Sequence, residues 1–199
     1  MMQAILKKMW ITSISDQKII ESIESAKKNI SDFDINWYDS NNWSLLMNAV
    51  SWKRKELVKY LLDDPNININ YRSNYGITVL FICDCTHILR LLLEHKNCDV
   101  NLQDIGKCTV LYKACFFGKK NKIKELLQDP RVDTSIRNKW GETALDTALE
   151  WGYPGIARII GNSMYTTLLR IPNKILCRDI ARMIIEEYLS MKCVDEHEI

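Results

Sequence analysis

Gly141-Glu142-Thr143-Ala144-Leu145-Asp146-Thr147-Ala148-Leu149-Glu150-Trp151-Gly152 is the stretch that decides the fold. A glycine-led turn, a threonine able to cap, a run of helix formers and a closing glycine predict one complete short helix with its own start and stop. The pattern recurs three times upstream. Its capping hydroxyls are Ser44, Thr78, Thr109 and Thr143, and the small residues five places on are Ala49, Cys83, Ala114 and Ala148, so both series step by 34, 31 and 34. A period of that size is the signature of stacked helical units that bury their apolar faces against one another.

Working outward, each short inner helix is followed by an outer one. Leu57, Val58, Leu61 and Leu62 give the outer helix of the second unit an apolar face, and Asp64-Pro65 stops it, as Asp129-Pro130 stops a later one. The boundaries are a degenerate helical N-terminal cap repeat over 1–37, four repeats over 38–70, 71–101, 102–136 and 137–161, and a C-terminal helical module over 162–199. In the cap, Ile5, Met9 and Trp10, then Ile19, Ile20, Ile23 and Ala26, predict an antiparallel helix pair whose second member is capped by Ser15-Asp16. The repeat over 71–101 is three residues short. The loss is expected in the inter-helix turn, where the others carry Trp52-Lys53, Phe117-Gly118 and Trp151-Gly152.

These units resemble ankyrin repeats, with Gly141 to Ala148 the best-preserved copy and the likeness running from about Asp34 to Gly161. The family's Thr-Pro-Leu-His core reads here as Ser44-Leu45-Leu46-Met47, Thr78-Val79-Leu80-Phe81, Thr109-Val110-Leu111-Tyr112 and Thr143-Ala144-Leu145-Asp146. Without those histidines and prolines, tighter apolar packing is expected to replace the family's usual inter-repeat hydrogen bonds. The resemblance implies an all-α ankyrin-repeat solenoid with projecting β-turn fingers, and protein binding rather than catalysis.

Composition narrows the function further. With 27 basic and 25 acidic residues the net charge is +2, too small a field to attract nucleic acid or anionic lipid. The Lys119-Lys120-Asn121-Lys122 run reads as a solvated helix face, and no apolar run is long enough to span a bilayer, so neither nucleic acid nor membrane is expected as a partner. Seven scattered cysteines, several at core positions, point to reduced thiols and an intracellular, cytoplasmic setting. The abundance of Ile, Asn and Lys fits an AT-rich genome such as that of a virus, an intracellular bacterium or a protist; for a virus or intracellular pathogen the setting would be host cytoplasm or nucleus. Three histidines without metal or nucleophile spacing, and no glycine-rich phosphate loop, leave no catalytic, cofactor or metal residue to name.

Aromatic residues carry the binding expectation. Eight residues beyond the cap stand Trp52, Phe117 and Trp151, which in an ankyrin stack border the concave groove; the competing reading folds each ring over its own inter-helix turn. Trp43, Tyr71, Tyr75 and Trp140, with Tyr38, lie near the finger turns, where stacking on a neighbouring finger is the competing reading. Large rings at repeat spacing suit an apolar or extended segment of a partner protein. Leu93 with Asp99-Val100-Asn101 resembles a pattern modified by an asparaginyl hydroxylase, although asparagine in such a turn ordinarily bonds backbone.

The C-terminal segment Leu169 to Leu176 is similar to the opening of an F-box and to the truncated F-box-like ends of poxvirus ankyrin proteins. That likeness implies binding to the adaptor of a cullin ubiquitin ligase through Ile171, Pro172, Ile175 and Leu176. The alternative is a helix that only closes the last repeat's apolar face.

Overall fold

The computed structural model describes residues 14–169. Among them the chain is helical, with a single isolated antiparallel bridge between Tyr38 and Ser44. The helices are α1 (Asp16–Asn29), α2 (Leu45–Ser51), α3 (Lys55–Leu62), α4 (Val79–Ile82), α5 (Thr86–Glu94), α6 (Val110–Phe116), α7 (Lys120–Leu126), α8 (Ala144–Glu150) and α9 (Pro154–Leu169). Two compact units result, Met1–Ile105 and Gly106–Ile199. In the first, inner α2 packs on inner α4, and outer α3 on outer α1 and α5; in the second, α6 packs on α8 and α7 on α9. This inner-on-inner, outer-on-outer layering is that of an all-α ankyrin-repeat solenoid.

Local chemistry explains the helix starts. The Ser44, Thr109 and Thr143 side chains accept from Met47, Tyr112 and Asp146 N–H, each at 3.2 Å. Asp146 returns the bond to Thr143 N–H at 2.8 Å, closing a capping box. Ser15 caps α1 through Lys18 N–H. Outer helix α3 has no cap of its own, because Arg54 stands at its N-cap; Asp16 of the preceding unit reaches across and accepts from Glu56 and Leu57 N–H. Ala49, Cys83, Ala114 and Ala148 are all buried, which explains why the position demands a small side chain.

Two sequence expectations need correcting. The three residues missing from the 71–101 repeat come out of the inner helix, not the turn. α2, α6 and α8 each have seven residues and α4 has four, while three residues separate inner from outer helix both in 52–54 and in 83–85. Thr78 occupies the cap position but makes no cap hydrogen bond. Helix α9 runs unbroken from Pro154 to Leu169 through Gly161. One glycine weakens a helix by about 1 kcal/mol relative to alanine, and burial of Ile156, Ala157 and Ile160 along the same helix outweighs that.

Polar ladders also join the repeats, where apolar packing was expected to stand alone. Asn36 donates to Asn66 C=O at 2.8 Å and accepts from Asn68 N–H at 2.6 Å. Asn70, one period on, donates to Asn97 C=O at 2.7 Å and accepts from Asp99 N–H at 2.9 Å. Each rung ties both ends of an amide side chain to the next repeat's backbone.

Candidate functional site

Trp52, Phe117 and Trp151 stand at the C-caps of α2, α6 and α8, where each inner helix ends. The next residue turns the chain through positive φ: Lys53 at 53°, Gly118 at 62° and Gly152 at 67°. This turn swings the outer helix away and leaves the ring at the helix end. Phe117 is 62% exposed and Trp151 51%, so neither is folded away into its own repeat, whereas Trp52 keeps 38% of its surface exposed. In the second unit Phe116 joins two of them. Its ring lies 4.6 Å from Trp151 and 5.1 Å from Phe117, edge to face in both cases, so the three form a continuous apolar ridge over α6 and α8.

The fingers are tight turns closed at their base. Asp39, Ser73 and Asn138 accept through their backbone carbonyls from the N–H three residues on, in Asn42, Gly76 and Gly141. Their side chains accept from the far arm, as Asn138 Oδ1 does from Trp140 and Glu142 N–H. Asn42, Gly76, Lys107 and Gly141 all take positive φ at the tip. Tyr75 (68% exposed) and Trp140 (64%) share one tip position, three residues before the cap. Lys139 Nζ lies 4.3 Å over the Trp140 ring.

Tyr71 and Trp43 are less available. Tyr71 is half-buried: it stacks on exposed Tyr38 with centroids 5.8 Å apart and donates to Asn42 Oδ1 at 2.7 Å. Burial raises its hydroxyl pKa, with Tyr38 and Asp39 adding to the effect. Trp43, also half-buried, is held at its finger's base by N–H donation to Asp39 Oδ1. The structure thus groups Phe117 with Trp151 in the second unit, to which Trp140 also belongs, while Trp52 and Tyr75 belong to the first. Ile171, Pro172, Ile175 and Leu176 lie outside the described residues, as do 1–13.

Sequence reading missed three features. Ile105 is 69% exposed on the finger beside Tyr75, whose C=O accepts its N–H at 3.2 Å. Phe116 links Phe117 to Trp151, and the Phe116-Phe117 pair was its visible signal. The finger bases Asp39, Ser73, Asp104 and Asn138 each fall five residues before a cap, at the same 34, 31, 34 spacing.

A charged cluster between α1 and α3 builds structure. Lys27 bonds Tyr60 Oη at 2.9 Å and Asp64 at 2.9 Å, and Tyr60 donates to Glu24, so α1 is tied to the end of α3. Burial pushes the Asp64 carboxyl up, but Lys27 and the Asn66 N–H outweigh it and hold the group below its ordinary value. Burial pushes the Cys115 thiol up to about 12, which leaves it un-ionised and inert. Among the described residues no group of three His, Cys, Asp or Glu side chains is placed to hold a metal ion. No described helix is long and apolar enough to cross a membrane. What this surface offers is large-area apolar contact.

The family model described as "Ankyrin repeats (3 copies)" matches residues 18–104 and 83–166. Among curated proteins, Ankyrin repeat and SAM domain-containing protein 6 of Rattus norvegicus is 32% identical over 107 residues, covering 52% of this chain and 12% of that protein. Its Mus musculus counterpart is 33% identical over 97 residues, covering 47% and 11%. This chain thus spans only about an eighth of those relatives' length. From the family match and that layering, the chain belongs to the ankyrin-repeat family.

Proposed function

We propose that this chain is a non-catalytic, intracellular protein-binding module. It captures its partner through the ends of its inner helices, at Trp52, Phe117 and Trp151, and through the finger residues Tyr75 and Trp140, with Trp43 and Tyr71 supporting the fingers. The observation that carries this reading is the Phe117–Phe116–Trp151 ridge, where two of the three rings remain more than half exposed at a repeated position. Exposed rings of this size lose hydration and little entropy on binding, which is why aromatic residues dominate interface energetics.

The test is affinity capture from cell extract with the intact chain and with a Phe117→Ala/Trp151→Ala variant, read by quantitative mass spectrometry. The expected result is a drop of about tenfold or more in the captured protein, with the thermal midpoint moved by only a few degrees. Equal capture by both chains would refute the assignment. A second variant, with Ile171, Pro172, Ile175 and Leu176 replaced by alanine, tests the ligase-receptor alternative. Loss of cullin-ligase components with this variant alone would give the C-terminal segment a recruiting role.

A further inference from the structure

The repeat over 71–101 departs from the others in three independent ways, and all three weaken it. Its inner helix α4 has four residues, barely one turn, and buries only Val79 and Leu80, whereas α2 buries six consecutive residues from Leu45 to Val50. Its cap residue Thr78 is 2% exposed, yet its hydroxyl meets no hydrogen-bonding group among the described residues and caps nothing. Cys83 and Cys85, which flank its inter-helix turn, are both extended, and the turn lacks the positive φ that closes the other described helix pairs at Lys53, Gly118 and Gly152.

In a repeat array, stability is approximately the sum of each unit's own stability and its nearest-neighbour contacts, so a unit lacking inner-helix length, the inner-helix cap and the closing turn is where local opening begins. A buried hydroxyl without a partner adds a penalty that its neighbours at 44, 109 and 143 do not carry.

We propose that the 71–101 repeat is a built-in opening segment: it unfolds locally as a unit, ahead of the repeat that follows it in sequence, and in doing so exposes the buried thiols of Cys83 and Cys98. Cys83 is 1% exposed and Cys98 5%, and neither is in a disulfide, so their reactivity reports the opening. The fully buried Cys115 on α6 is the internal reference. Opening at this place would make the chain sensitive to thiol-modifying chemistry while the repeats around α6 and α8 stay folded.

The experiment is timed alkylation of the full-length chain with N-ethylmaleimide under native conditions, read peptide by peptide. Amide exchange is followed over 79–94 and 110–116 in parallel samples. Cys83 and Cys98 should be modified at a common rate, about tenfold or more faster than Cys115, with amide exchange over 79–94 faster in the same sense. Thr78→Val removes the buried hydroxyl at nearly constant shape. It should slow labelling of Cys83 and Cys98 about fivefold or more and leave Cys115 unchanged. Cys83 and Cys98 reacting at the rate of Cys115, or differently from one another, would overturn the proposal. Unchanged labelling in Thr78→Val would also overturn it. Should that variant fold poorly, the wild-type rates and amide exchange decide alone.

Discussion

Replacing Asn70 by alanine removes one rung of the asparagine ladder without touching the apolar core. Two hydrogen bonds disappear, from Nδ2 to Asn97 C=O at 2.7 Å and from Asp99 N–H to Oδ1 at 2.9 Å. A net contribution of about 0.5–1.5 kcal/mol per bond gives about 1–3 kcal/mol for the pair. The rung lies on the exposed side of the loops, where water replaces part of each lost bond, so the expected loss is in the lower half of that range, about 1.5 kcal/mol. With a urea m-value of about 2 kcal/mol/M, the unfolding midpoint should fall by about 0.5–1 M at unchanged m. Asn97→Ala is the control, since the ladder uses only the Asn97 carbonyl, and it should move the midpoint by less than about 0.2 M. If Asn70→Ala behaves like Asn97→Ala, the ladder contributes nothing and apolar packing alone joins these repeats.

Three further outcomes follow from the same geometry. Thr143→Val breaks the capping box with Asp146 and should lower stability by about 1 kcal/mol by urea titration, the opposite sign to Thr78→Val at the equivalent position. Gly118→Ala should lose about 1–2 kcal/mol, because φ is +62° and the new Cβ would sit 3.1 Å from Tyr153 Cζ; Lys53→Gly, at φ 53°, should gain up to about 1 kcal/mol. Asp64, held below its ordinary pKa by Lys27, contributes stability that is complete above the unfolded value of about 4 and is lost as pH falls through the lower folded value. Thermal midpoints measured from pH 5 to pH 2.5 should therefore fall more steeply for wild type than for Asp64→Asn; parallel slopes would show that the ion pair is unimportant.

Sequence alone determined what depends on near neighbours along the chain. Caps at Ser44, Thr109 and Thr143 act on N–H groups three residues away, the Asp-Pro stops act on adjacent residues, and small residues recur at Ala49, Cys83, Ala114 and Ala148 because one helix pair repeats. Those local rules, summed over a period of 34, 31 and 34, were enough to give the fold and the family. Tertiary structure decided whatever depends on a neighbour about thirty residues away. The Asn36 and Asn70 rungs join residues 27 to 32 positions apart, so the partners of these asparagines exist only once the next repeat lies beside them. Thr78 looked like a cap because its spacing was right, but the Phe81 N–H three residues on donates to the Thr78 backbone carbonyl at 3.1 Å and the hydroxyl caps nothing. Exposure of Phe117 and Trp151 was undecided in sequence because a ring at a helix end packs inward or outward with equal local chemistry. The stacking of α8 on α6, which sets the Phe116 edge against Trp151, decided it, and that is a property of packed repeats rather than of any one helix.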